Sequence, residues 1–384
     1  MQGSATEDFL VAPEAEDDVT ARVAVEADPS DLSGDVRERL RERIEEQRGD
    51  KTLLAMDDET FDLSLGFLRQ TSCGLLKPTV CGLLMIGRRK RLPVLLPTAR
   101  SIFQRTASAS ILTEQTFCGP IVSAIEELTR SFEACNVSKE TCLDGIRIVI
   151  PDFSSAAFRE ALVNAFSHRD YRSSRAVRVR VTENSLIITN PGGFLPGISA
   201  GSLLNAKSRC RNALLARALK RTGYAGGYGR GIETIFLESM RGGRLWPDYG
   251  PSTEDTVRVE ILKSKEEYEF FRLVNRYENR LKRLISVPAM TILAVLRNVG
   301  PELSLTELRE EMPGRFPKEE VRAEADKMVA DGVLAVRGDV RDPRYRIAGL
   351  DTITLETPSG LGKTVLVMNR VDAGMCARHP GAFF

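Results

Sequence analysis

Between residues 158 and 168, apolar and polar positions recur at helical spacing. Projected at 100° per residue, Phe158, Ala161, Leu162, Ala165 and Phe166 gather on one side, and Glu160, Asn164, Ser167 and His168 fall within about 100° on the other. This predicts a helix over residues 153–168 with one buried face. A solvated face would be dominated by Lys, Arg and Glu; this one carries mostly shorter donors and acceptors. Glu160 and Asn164 are four apart, so they sit one turn above the other and can converge on one ligand. A helix cap or a buried polar pair is the plainer use of the same two residues.

Around this helix the pattern alternates between periods. "GIRIVI" reads as a strand stopped by Pro151, and "AVRVRV" and "SLIITN" alternate in period two around "TEN", a hairpin signal. Helices are predicted at "RNALLARALKRTG" and "IETIFLESM", and a strand at "DTVRVEIL". The order strand, helix, hairpin, two helices, strand predicts an α+β unit over 145–263, with helices layered on one face of a mixed, largely antiparallel sheet. Residues 36–144 read as an α+β packing region and 264–285 as a charged connecting helix. In 286–348, three helices and two strands around a charged turn have the layout of a winged helix-turn-helix. Ser304 is a plausible N-cap there.

Composition narrows the function classes. The 384 residues are 42% hydrophobic and 28% charged, and 54 basic against 53 acidic residues leave a formal charge of +1. Binding to nucleic acid or to an anionic surface therefore has to be local. Seven scattered cysteines with no C-x-x-C pair predict reduced thiols, and two histidines leave no His-rich metal centre. No run approaches a membrane span, and the N-terminus lacks the pattern of a secretion signal. A cytoplasmic protein is expected. Residues 1–35, with ten acidic residues and one Arg, read as a flexible acidic segment, and 349–384 as a weakly ordered tail.

Downstream glycines suggest what the polar stripe faces. A strand ends in Asn190, Pro191, Gly192 and Gly193, where missing side chains let a ring or a phosphate approach the backbone. The alternation Gly227, Gly229, Gly231 runs into a helix, whose N-terminus offers free N–H groups and partial positive charge to phosphate. Lys207, Arg209 and Arg211 lie between, able to fold over a triphosphate.

The set "FREALVNAFSHRDY", "LIITNPGGF", "RNALLARALK" and "GYGRGIETI" resembles the GHKL-type ATPase domain of a family labelled ATP-dependent DNA helicase RecG-related, or transcriptional regulator. "KPTVCGLLMIGRRKRLP" resembles that family's linker region, so the likeness spans roughly residues 60–350. Members typically carry a Schlafen AlbA-type module, here apparently missing, and a C-terminal helix-turn-helix. The resemblance implies that ATP and Mg²⁺ bind, with Asn164 holding the metal, Glu160 acting as general base toward a water at the γ-phosphate, and Asn190 and Gly192 at the adenine. Gly227, Gly229 and Gly231 would match the second glycine box. Asn190 replaces the usual Asp with a neutral amide, which leaves base selectivity open. Many such folds bind nucleotide without turnover, so hydrolysis stays open.

Two lookalikes are set aside. "HRD" at 168–170 lacks the Asn of a kinase loop at 175, which is Arg175. "TPSGLGKT" at 357–364 has Thr357 in place of the first Walker glycine, and only twenty residues follow it. No helicase motor is legible. In the winged unit, the helix at 317–332 holds three basic and five acidic residues, so phosphates would repel much of it. Arg337, Arg341, Arg344 and Arg346 are the better candidates for DNA, with a protein partner or a homodimer as the alternative.

Overall fold

The computed structural model describes residues 18–47, 49–108, 110–143, 146–206, 209–225, 231–265, 267–314, 316–348 and 365–367. The first layer holds α1 (Gly34–Glu46), α2 (Asp58–Leu65), β1 (Leu68–Gln70), β2 (Leu76–Pro78), α3 (Val80–Ile86) and α4 (Leu92–Leu95). Then come β3 (Arg100–Ala107), β4 (Ser110–Cys118), α5 (Ile121–Glu133), β5 (Ser138–Leu143), β6 (Ile146–Pro151) and α6 (Ser155–His168). The central elements continue with β7 (Val177–Val181), β8 (Ser185–Pro191), α7 (Ala213–Arg221), α8 (Gly231–Arg241) and β9 (Thr256–Leu262). The rest comprises α9 (Tyr268–Leu281), α10 (Val287–Asn298), β10 (Glu302–Ser304), α11 (Leu305–Glu311), α12 (Lys318–Ala330), β11 (Leu334–Arg337), β12 (Arg344–Ile347) and β13 (Val365–Val367).

The fold is α+β, built on a five-stranded mixed sheet of order β4-β3-β7-β8-β9. Only the β3–β7 pair is parallel; the other neighbours are antiparallel. The expected β7–β8 hairpin forms, with Arg178 opposite Thr189 and Val181 opposite Leu186. Val177, Val179 and Val181 are buried while Arg178 and Arg180 point to the other face, as period two requires. The buried face lies under α5 and α6. Along α5, Ile121, Ile125, Leu128 and Phe132 recur at helical spacing and are all buried, and the Phe132 ring stacks on Phe158 of α6 at 4.1 Å between centroids. Ser154 caps α6, accepting from the Ala157 N–H.

Two features depart from the sequence reading. β3 and β4, within the expected packing region, complete the central sheet, whereas "GIRIVI" becomes β6, which pairs with β5 and β13 in a separate three-stranded sheet. The parallel β3–β7 pairing joins strands some seventy residues apart, a long-range choice that local periodicity does not encode. Residues 18–33 are packed rather than part of a flexible lead-in: Thr20 and Ala27 are fully buried, Val23 bridges to Thr79, and the Asp18 carboxylate accepts from the Leu214 N–H at 2.9 Å. Acidic composition argued for solvation, but Asp18 is held by backbone donors. The expected tail at 349–384 lies outside the described residues apart from β13, as do residues 1–17 of the acidic segment.

The C-terminal unit packs α10, α11 and α12 against an antiparallel sheet of order β10-β12-β11. Ser304 caps α11 in a reciprocal box with Glu307.

Candidate functional site

Helix α6 organises the site. Glu160, Asn164 and His168 are half-buried along one side, while Ser167, expected among them, is buried. At about 1.5 Å per residue, the Glu160 and His168 levels are about 12 Å apart.

The upper end of the stripe meets the N-terminus of α8. A Cβ added to Gly231 would fall 2.9 Å from Oε2 of Glu160 and 3.5 Å from Nδ2 of Asn164. A side chain here would have to displace the carboxylate end of Glu160. Here the sequence-predicted Glu160, Asn164 and Gly231 come together; Gly227 and Gly229 lie outside the described residues, and so does Lys207.

The lower end of the stripe meets the end of β8. Asn190 is buried on the helix-facing side with Leu186 and Ile188. Its Nδ2 donates to the Pro191 carbonyl at 3.4 Å, and no described residue donates to its side-chain oxygen. Gly192 has φ of +95°, and a Cβ there would sit 3.1 Å from Cβ of Asp170 and 3.3 Å from Nε of Arg211. At Gly193 a Cβ would collide with the Glu254 carbonyl oxygen at 2.1 Å. The "NPGG" segment thus needs its glycines for close backbone approach, one of them in the left-handed region.

Arg211 spans the gap, donating from Nε to the His168 carbonyl at 3.1 Å and from its terminal nitrogen to the Gly193 carbonyl at 2.9 Å. Both acceptors are neutral, so the guanidinium keeps its charge beside the site. Burial, reinforced by that charge, pushes the His168 imidazole down to about 4, which keeps it neutral near pH 7. Burial pushes the Asp170 carboxyl up, but bonds from Arg172 and the charges of Arg172 and Arg211 outweigh it and hold the group below the ordinary value. Arg209 reaches the Pro196 carbonyl at 3.2 Å on the exposed rim.

Several supporting residues were not legible in the sequence. Asn212 donates to the Ser167 and Arg169 carbonyls at 2.9 and 2.8 Å, bonding the frayed end of α6. Asp170 ties the same turn to β8 through its N–H and the Pro191 carbonyl at 2.8 Å. Arg169 is buried and donates to the carbonyls of Thr98 and Arg175 at 2.5 and 2.8 Å. A polar residue next to a helix end hints at capping, but partners twenty to seventy residues away carry no local signal.

Residues 174–261 match a family model described as "Putative ATP-dependent DNA helicase recG C-terminal". This stretch is similar to a RecG-related ATPase-like domain. The matched range holds Asn190, Gly192, Gly193, Arg209, Arg211 and Gly231, and begins after α6. Residues 10–102 match a model described as "Domain of unknown function (DUF8451)". A crystal structure of the DIP2311 protein from Corynebacterium diphtheriae superposes with a TM-score of 0.66 at 17% identity, over 87% of this chain and 64% of that one. That likeness is one of fold, and the chain spans about two thirds of the length of that protein. No curated protein matches.

The residues present fit a nucleotide with its cation. Among the described residues no cluster of three or more His, Cys, Asp or Glu could cage a metal; Mg²⁺ ordinarily takes few protein ligands and completes its shell with phosphate oxygens and water. Asn164 beside the N-terminus of α8 is a donor set of that kind. No described helix is long and apolar enough to cross a membrane.

The expected wing arginines are unevenly placed. Arg337 and Arg344 both pair with Glu302, at 2.8 and 3.1 Å, and Arg344 also with Glu307 at 3.2 Å. Arg341 and Arg346 are exposed.

Proposed function

We propose that the chain binds ATP with Mg²⁺ along α6 and uses its occupancy to set contacts with DNA or a protein partner through a winged helix at 286–348. The observation that carries the reading is the convergence on one helix of Glu160 and Asn164 against Gly231 at one end and the "NPGG" segment with Arg211 at the other. Asn164 would hold the metal against the phosphates. Arg209 and Arg211 would supply positive charge to the phosphates, and Asn190 would offer its buried amide oxygen to the adenine amino group. Glu160 would orient a water and take its proton. Mg²⁺ would neutralise phosphate charge and polarise the terminal phosphorus.

In the winged helix, Glu302 screens Arg337 and Arg344, so Arg341 and Arg346 are the side chains with charge to spare for DNA.

Thermal unfolding tests the nucleotide site. At one hundred times its Kd, Mg-ATP should stabilise the wild type by about 2.7 kcal/mol, and Asn164→Ala should lose most of that gain. An unchanged melting temperature for the wild type removes the reading. If Glu160 is the base, Glu160→Ala retains the shift and loses phosphate release.

A further inference from the structure

The helix-free face of the five-stranded sheet carries a second constellation. Register places Ile102, Arg178, Thr189 and Arg258 in one row across β3, β7, β8 and β9, with Gln104, Arg180, Ile187 and Glu260 in the next. Arg100 and Arg175 border the same concavity, of about 480 Å³. Five arginines therefore share one surface of a chain whose net charge is +1.

Their partners decide what that surface is for. Arg258 is matched by Glu260 at 2.6 Å. The others are held by neutral acceptors: Arg100 by the Ser174 carbonyl at 2.9 Å, Arg175 by the Asp255 carbonyl at 2.7 Å and Thr256 Oγ1 at 2.9 Å, and Arg180 by Oε1 of Gln104 at 3.1 Å. Glu114, across from Gln104, bonds that amide instead. Arg178 is exposed and has no carboxylate partner among the described residues. Guanidiniums that are positioned but not neutralised form a preorganised anion-binding surface.

We propose that this face binds a single strand of nucleic acid, its phosphates on Arg100, Arg175, Arg178 and Arg180 and its bases against Ile102 and Ile187. Arg178 and Arg180 are two apart on one strand, about 6.7 Å, which presents cations in a line along an extended backbone. Ile102 beside Arg178 and Ile187 beside Arg180 offer apolar contact that unpaired bases can use and a duplex, with its bases stacked inward, cannot. This surface lies on the opposite side of the sheet from α6 and needs no nucleotide there, so its success or failure leaves the reading of that site untouched.

Fluorescence anisotropy with a labelled oligonucleotide and no ATP tests it. The wild type should bind the strand more tightly than a duplex of the same sequence or poly-glutamate. Arg178→Ala with Arg180→Ala should weaken binding by roughly tenfold or more and reduce the salt slope by about 1.4, two phosphate contacts at about 0.7 each. Arg89→Ala with Lys90→Ala, two exposed cations away from this face, should leave both unchanged. Should the alanine pair unfold more easily, Arg178→Lys with Arg180→Lys decides: retained binding supports the site and lost binding overturns it. Absence of wild-type binding at about 50 mM salt, an unaltered affinity and slope in the alanine pair, or equal affinity for duplex or poly-glutamate also overturns it.

Discussion

Gly193 and Gly231 look interchangeable as members of glycine clusters, yet their surroundings differ in kind. At Gly193 the atom in the way is a backbone carbonyl of Glu254 at 2.1 Å, which moves only if the chain moves; at Gly231 it is the carboxylate end of the Glu160 side chain at 2.9 Å, which can rotate. Gly193→Ala should therefore destabilise by about 1–3 kcal/mol, read as a lower midpoint in urea. Gly231→Ala should stay within about 0.5 kcal/mol of the wild type but displace Glu160, so its cost should appear in nucleotide binding. Equal midpoints for the two variants would contradict this division.

Among elements, α8 and α9 are joined by a buried charge network. Arg241 of α8 donates two parallel bonds to Glu278 of α9, at 2.9 and 2.7 Å, and Glu278 is fully buried and also accepts from the Ile285 N–H. Glu238 lies 3.4 Å from the same guanidinium and accepts from Ser154, the cap of α6; burial raises its carboxyl pKa despite those partners. Arg241→Ala would leave two buried carboxyl groups without their cation, an expected loss of about 3–5 kcal/mol by chemical unfolding. A loss below about 1 kcal/mol, the size of a surface pair, would mean that water reaches the network. The sequence marks α9 as a charged connecting helix, but its spacing shows which residues share a face and not which charges are paired.

Across the molecule, α8 is the element that touches everything the proposed coupling requires. Its N-terminus faces Glu160 and Asn164 at Gly231, and near its C-terminus the buried Met240 accepts from Thr291 of α10 at 3.7 Å. Its eleven residues span about 16 Å, enough to connect the proposed nucleotide site to the C-terminal unit through one helix. Mg-ATP should therefore slow hydrogen exchange both in 201–212, which carries Arg209 and Arg211, and in α10. Protection confined to 201–212 would sever the link between occupancy and the C-terminal unit while leaving nucleotide binding in place.

Local information settled a good deal. Period 3.6 placed α6 and its polar stripe, period two placed the β7–β8 hairpin, and left-handed φ at Gly192 follows from a residue chosen for it. Those features depend on neighbours in the chain, which the sequence lists directly. Tertiary structure alone decided that β3 and β4 complete the central sheet, that Asp18 accepts from the backbone of α7, that Glu302 pairs with Arg337 of β11 and Arg344 of β12, and that the arginines of β3, β7 and β9 meet on one face. Each depends on pairing between distant segments, where register and burial are fixed by closing long loops around a shared core, and no local pattern records the partner.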